Sequence, residues 1–133
     1  MKYYEVVPEV PGDRGEKFSP THVHLVFVVW QGDELITAHP VFLASETLAA
    51  NLQKIAGVSS KPAEISLSED FLEWAEVAPA RKLPTFRWLQ IVGKAGRDHM
   101  GLDKNGALVV SQTVLDAILA TNPTMLGYEE FKP

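Results

Sequence analysis

The chain has 133 residues, 46% of them apolar, and 17 acids against 12 bases give it a net charge of −5. That length suits one domain able to bury about two thirds of its unfolded surface, and the acidic balance argues against a nucleic-acid binder that works by neutralising phosphates. With no cysteine, disulfides, thiolate metal sites and cysteine nucleophiles are excluded, and a reducing, cytoplasmic setting is expected.

The opening Met1-Lys2-Tyr3-Tyr4-Glu5-Val6-Val7 lacks the basic region and long apolar run of a signal peptide. No stretch approaches the roughly 20 apolar residues of a membrane span, so no membrane contact is expected. Lys2 to Val7 reads as a first strand. Pro8, Pro11, Gly12, Gly15 and Pro20 then predict a long loop without regular structure. His22 to Trp30, HVHLVFVVW, is the most apolar strand candidate and suits a central position covered on both faces. Gln31-Gly32-Asp33-Glu34 predicts a turn into Leu35-Ile36-Thr37, making a hairpin, and Pro40 predicts an edge strand or a bend.

Ser45 is a natural cap for a helix from Glu46 to about Ala56, with Leu48, Leu52, Ile55 and Ala56 on one stripe and Gly57 as its end. Lys61-Pro62 reads as a break, and Glu64-Ile65-Ser66-Leu67 alternates like a short strand. Ser66 and Ser68 are both candidate caps for a helix through Val77, Ser66 and Glu69 having the capping-box spacing. Phe71, Leu72 and Ala75 are expected to face inward, with Glu69, Glu73 and Glu76 outward. Pro79 and Pro84 bracket a basic link. Phe86 to Val92 then predicts a strand, Gly93 to Asp98 a loop, Asp103-Lys104-Asn105-Gly106 a tight turn, and Leu108-Val109-Val110 a strand ending at the cap Ser111. In the helix that follows, Val114, Leu115 and Ile118 share a face. Asn122-Pro123 stops it, and Leu126 to Phe131 is a final strand. The sequence shows no internal repeat. Together these elements predict a single α+β domain over residues 1–133, a mixed or mostly antiparallel sheet of five to six strands with about three helices packed on it.

Charge is segregated along the chain. Glu64, Glu69, Asp70, Glu73 and Glu76 form a stretch without a base, while Arg81, Lys82, Arg87, Lys94 and Arg97 form one without an acid. Either two solvated surfaces face each other as ion pairs, or the acidic side meets a basic partner. Acids in the first turn also complement the helix dipole, which gives part of the cluster a structural reason.

Other constellations have plain structural readings. His22 and His24, two apart on a strand, share a face and a spacing that metal sites use, but a third ligand would have to come from His39, Asp98, His99 or a distant carboxylate, so no metal is expected. Gly93-Lys94-Ala95-Gly96-Arg97-Asp98 lacks the spacing of a phosphate loop. Asp98-His99 with Ser111 or Ser45 would supply the groups of a hydrolase triad, yet no nucleophile elbow is present and Ser111 has a capping role. Trp30, Trp74 and Trp88 belong to apolar segments. Trp74 lies at the margin of its helix's apolar face beside Asp70 and Glu73, where an aromatic among acids suits a basic protein surface.

The C-terminal third carries a resemblance. Leu83-Pro84-x-Phe86-x-Trp88-Leu89, Ile91-Val92-Gly93-Lys94-Ala95-Gly96, Asp98-x-x-Gly101-Leu102 and Leu108-Val109-Val110-Ser111 followed by Leu115 and Leu119 resemble a family of bacterial immunity proteins from polymorphic toxin systems, and Tyr3-Tyr4-Glu5-Val6 is similar to that family's start. His99-Met100 depart from it, standing where a second acid and an aromatic are expected. The resemblance implies a non-catalytic protein without a cofactor that binds a cognate secreted toxin, expected to be basic, and occludes its active site. On that reading the partner-binding residues are Asp70, Glu73, Trp74 and Glu76 on the acidic helix, with Asp98, His99 and Asp103 near the glycine loop as a second patch. The alternative is a small enzyme or a ligand- or metal-binding domain using His22, His24, Asp98 and His99 around a cleft; a self-associating domain using the edge near Pro40 is a third reading.

Overall fold

In the computed structural model, which describes residues 1–77 and 82–132, a run of five buried residues, Val41–Ser45, is the strand around which the layers form. In chain order the elements are β1 (Tyr3–Val7), β2 (Gly12–Arg14), β3 (His24–Phe27), β4 (Leu35–Ala38), β5 (Val41–Ser45), α1 (Glu46–Ala56), β6 (Ser59–Pro62), β7 (Glu64–Leu67), α2 (Glu69–Val77), β8 (Phe86–Gln90), β9 (Met100–Leu102), β10 (Leu108–Ser111), α3 (Gln112–Leu119) and β11 (Gly127–Glu130). The α+β class is as expected. The strands divide among three sheets, ordered β11-β1-β10-β9, β2-β3-β7 and β4-β5-β8-β6. Among the described residues, these strands pair antiparallel except for β3 with β7.

Successive side chains of a strand point to opposite faces, so β5 feeds two cores. Phe42 and Ala44 join Leu48, Leu52, Leu108, Val110 and Ile118 on the side of α1 and α3. Val41 and Leu43 join Leu25, Phe27, Phe71 and Phe86 on the side of β3 and α2. The β4-β5-β8-β6 sheet is therefore a middle layer, and each large side chain it buries contributes about 1.5–3 kcal/mol.

Several expectations are corrected. The hairpin through Gln31–Glu34 does not form, because β3 and β4 lie in different sheets. Asp33, 2% exposed, instead accepts hydrogen bonds from the backbone N–H of Thr124 at 2.6 Å and of Met125 at 2.9 Å, which holds the segment as a crossing. The hairpin is β4–β5, and the bend expected at Pro40 is its turn, where His39-Pro40 is cis. The strand between His22 and Trp30 covers only His24–Phe27; it is central in its sheet, but Val28 is exposed. The long loop before it contains β2, paired with β3, and a bridge from Glu9 to Ile36. Lys61-Pro62 ends the edge strand β6 rather than breaking the chain, a position where a missing N–H is tolerated. Pro79 and Arg81 lie outside the described residues.

The same local unit occurs twice, which the sequence alone did not disclose. Hairpin β4–β5 ends in Ser45 and runs directly into α1, and hairpin β9–β10 ends in Ser111 and runs directly into α3. Ser45-Glu46-Thr47-Leu48 and Ser111-Gln112-Thr113-Val114 are the matching junctions. Each serine accepts from the N–H three residues on, Leu48 at 3.2 Å and Val114 at 3.3 Å, as an N-cap does. The two helices then pack on one another.

Candidate functional site

Helix α2 is capped by Ser68, whose hydroxyl accepts from the Phe71 N–H at 3.1 Å. Ser66 is not the cap: it stays in β7 and bonds His24 Nε2 at 2.8 Å. Phe71 is buried, with ring centroids 6.2 Å from Phe27 and 5.3 Å from Trp74. These two aromatics, three residues apart, set the inward direction of the helix. Trp74 is thus half-buried against the core, and Leu72 and Ala75, expected inside, point outward.

The outward side carries Glu69, Asp70, Glu73 and Glu76, all exposed, and among the described residues none of the four makes an ion pair. Leu72 at 53% and Val77 at 86% exposure flank the acidic stripe. Glu69 and Asp70 sit in the first turn, where the helix dipole favours them. Glu76 lies in the last turn, where the dipole opposes anions and no base is present, and Glu73 is the middle residue of the helix, where the dipole gives an acid no support. Local physics therefore explains two of the acids and not the other two.

The second expected patch is built differently. Gly93 and Gly101 let the loop lie against β9, since a Cβ on Gly101 would fall 2.5 Å from Ala95 N. Asp98 Oδ2 accepts from Lys94 N at 2.6 Å and from the Arg97 guanidinium at 2.9 Å, and these hold its carboxyl below the usual range, the arginine foremost. Asp103 Oδ1 accepts from the N–H of Asn105 and Ala107. Both carboxylates are thus engaged in turns, and the exposed groups beside them are Lys94, Arg97 and Lys104.

A carboxyl depressed in the folded state adds stability above its unfolded pKa and loses it as pH falls through the folded value. Asp98→Asn is accordingly expected to lower the melting temperature at neutral pH, with the gap to the unaltered chain closing below about pH 4, the ordinary carboxylate range. Melts between pH 7 and pH 2 check this, and a gap that persists to the lowest pH refutes it.

His99 Nδ1 lies 2.7 Å from Ser111 Oγ. This is the contact a Ser-His pair would need, yet Ser111 is fully buried and its oxygen already accepts from Val114 N. The serine is a helix cap, with His99 as its second partner. Asp98 and His99 line a groove of about 510 Å³ with Val58, Gln90, Val92 and Met100, and neither His22 nor His24 reaches it. Those histidines lie elsewhere, on either side of Glu64. His22 Nε2 is 3.0 Å from one carboxylate oxygen and His24 Nε2 is 3.8 Å from the other, while Lys17 Nζ is 3.4 Å away. Hydrogen bonding to His22 is the main cause that holds the Glu64 carboxyl below its usual range. Lys17 N–H donates to His24 Nδ1, so in the neutral ring Nε2 carries the proton and donates to Ser66. Among the described residues no group of three metal-ligating side chains is assembled, and no helix is long and apolar enough to cross a membrane.

Sequence reasoning missed the two buried acids, Glu9 and Asp33. Glu9 accepts from the N–H of Gln31 and Asp33, and Asp33 in turn holds Thr124 and Met125. Comparison with protein-family models, curated proteins and solved structures returns no match to this chain.

Proposed function

We propose that this chain is a non-catalytic immunity protein that binds a basic secreted toxin through the outer face of α2 and covers the toxin's active site inside the producing cell. The observation that carries the reading is the pair Glu73 and Glu76. They stand unpaired among the described residues between exposed Leu72 and Val77, Glu76 in the last turn against the helix dipole and Glu73 at mid-helix without its support. Mixed acidic and aliphatic side chains on a helix fixed from behind by Phe71 and Trp74 suit a partner that supplies bases and a small apolar contact. The resemblance of the C-terminal third to immunity proteins supplies the kind of partner. Asp98 and Asp103, engaged in turns, contribute scaffolding to this reading, and Trp74 contributes its packing more than a free ring.

The test is a pull-down of the tagged chain against the product of the gene immediately upstream, followed by co-expression. A one-to-one complex and restored growth are expected. A toxic neighbour that neither binds nor is neutralised overturns the proposal.

A further inference from the structure

A pocket of about 420 Å³ lies between the glycine loop, the turn after β9 and the segment after β11. Its floor is apolar, made by Ala95, Leu102 and Phe131, and its rim carries Lys94, Lys104 and Lys132 beside Asp103. Three lysines against one aspartate is a local excess of base on a chain whose net charge is −5. Among the described residues none of the three lysines makes an ion pair, and the Asp103 oxygen Oδ1 accepts from Asn105 and Ala107 N–H.

The floor is held by backbone. Phe131 N–H donates to Tyr3 O at 2.8 Å, and the Phe131 ring rests on Gly96 at φ +78°, where an added Cβ would lie 3.0 Å from the ring. The Tyr3 hydroxyl donates to Arg97 O at 2.8 Å, tying the glycine loop to β1. The walls are held before an anion enters, so the ordering cost falls on the three exposed lysine side chains alone.

We propose that this pocket binds an acidic segment of a partner protein, the lysines meeting its carboxylates and the floor taking an adjoining aliphatic or aromatic side chain. Lysine ammonium groups are point charges, and the rim has no arginine fork of the kind that recognises phosphate bidentately. One phenyl ring is a poor platform for successive bases. A short acidic segment carries little charge and offers the apolar side chain that the floor accommodates. The inference stands on this pocket and not on the acidic helix, so either can fail without the other.

The experiment is fluorescence anisotropy on the full chain with a labelled peptide of alternating glutamate and leucine, compared with a glutamine–leucine peptide of equal length and with an oligothymidylate. Saturable binding of the acidic peptide is expected, weakened about tenfold by Lys94→Glu/Lys104→Glu/Lys132→Glu, the sum of three exposed charge contacts. An unchanged melting curve shows that the variant still folds. No saturable binding, equal affinity for the glutamine peptide, equal affinity of the variant, or tighter binding of the oligothymidylate overturns the proposal.

Discussion

Replacing Asp33 with alanine is expected to lower stability by about 3 kcal/mol, a fall in melting temperature of about 10 °C for a domain of this size. The carboxylate is 2% exposed and joins two segments some ninety residues apart in sequence, accepting from Thr124 N, Thr124 Oγ1 and Met125 N. A hydrogen bond to a charged acceptor contributes about 1.5–3 kcal/mol net. The sum over three is discounted here because Thr124 and Met125 are exposed, so water takes over part of what the carboxylate leaves. Asp33→Asn keeps one acceptor oxygen but turns an amide N–H₂ toward N–H donors, and an intermediate loss is expected. Asp13→Ala is the control: that side chain is exposed and its only hydrogen bond among the described residues is to the adjacent Arg14 N–H, so a change within about 0.5 kcal/mol is expected. Chemical denaturation of the three variants decides the matter. A loss at Asp33 no larger than at Asp13 would mean that the crossing is held by packing alone.

The same aspartate marks where sequence reading stopped. Gln31-Gly32-Asp33-Glu34 has turn composition, and a turn between two apolar runs reads as a hairpin. What overrode it was a long-range hydrogen-bond set in which two of the three donors are backbone groups that carry no residue signature. Local signals fared better. Ser45 and Ser111 were legible as caps because a cap needs only its own hydroxyl and the N–H three residues on. Their recurrence as one unit was not, because only serine and threonine are common to the two junctions. On α2 the acidic stripe was readable from spacing, whereas the inward face was not. Phe71 with Leu72 and Ala75 fits an amphipathic helix as well as Phe71 with Trp74 does, and the larger aromatic surface takes the core. The lysine pocket draws on residues 94, 104 and 132, a grouping that exists only once β1 has paired with both β10 and β11.

Reversing two charges, Glu73→Lys with Glu76→Lys, is expected to weaken binding of the proposed toxin about a hundredfold while leaving the fold intact. Each reversal removes an attraction and adds a repulsion against a basic surface, and close interfacial charge pairs are coupled by about 1.5 kcal/mol or more. Two such contacts correspond to about two decades in Kd. Stability is expected to hold or rise slightly, because Glu76→Lys puts a base in the last turn of α2, where it complies with the dipole that the glutamate opposes. Binding and folding should therefore move in opposite directions, which separates an interface from a structural role. Glu16→Lys with Glu129→Lys changes the net charge equally at exposed positions outside α2. That control is expected to slow association a few-fold through the overall field and to leave dissociation unchanged. Calorimetry on both double variants, with surface plasmon resonance to divide the rates, makes the comparison. Equal losses would mean that net charge steers the toxin without α2 touching it, and an unchanged Kd for Glu73→Lys with Glu76→Lys would remove this face from the interface.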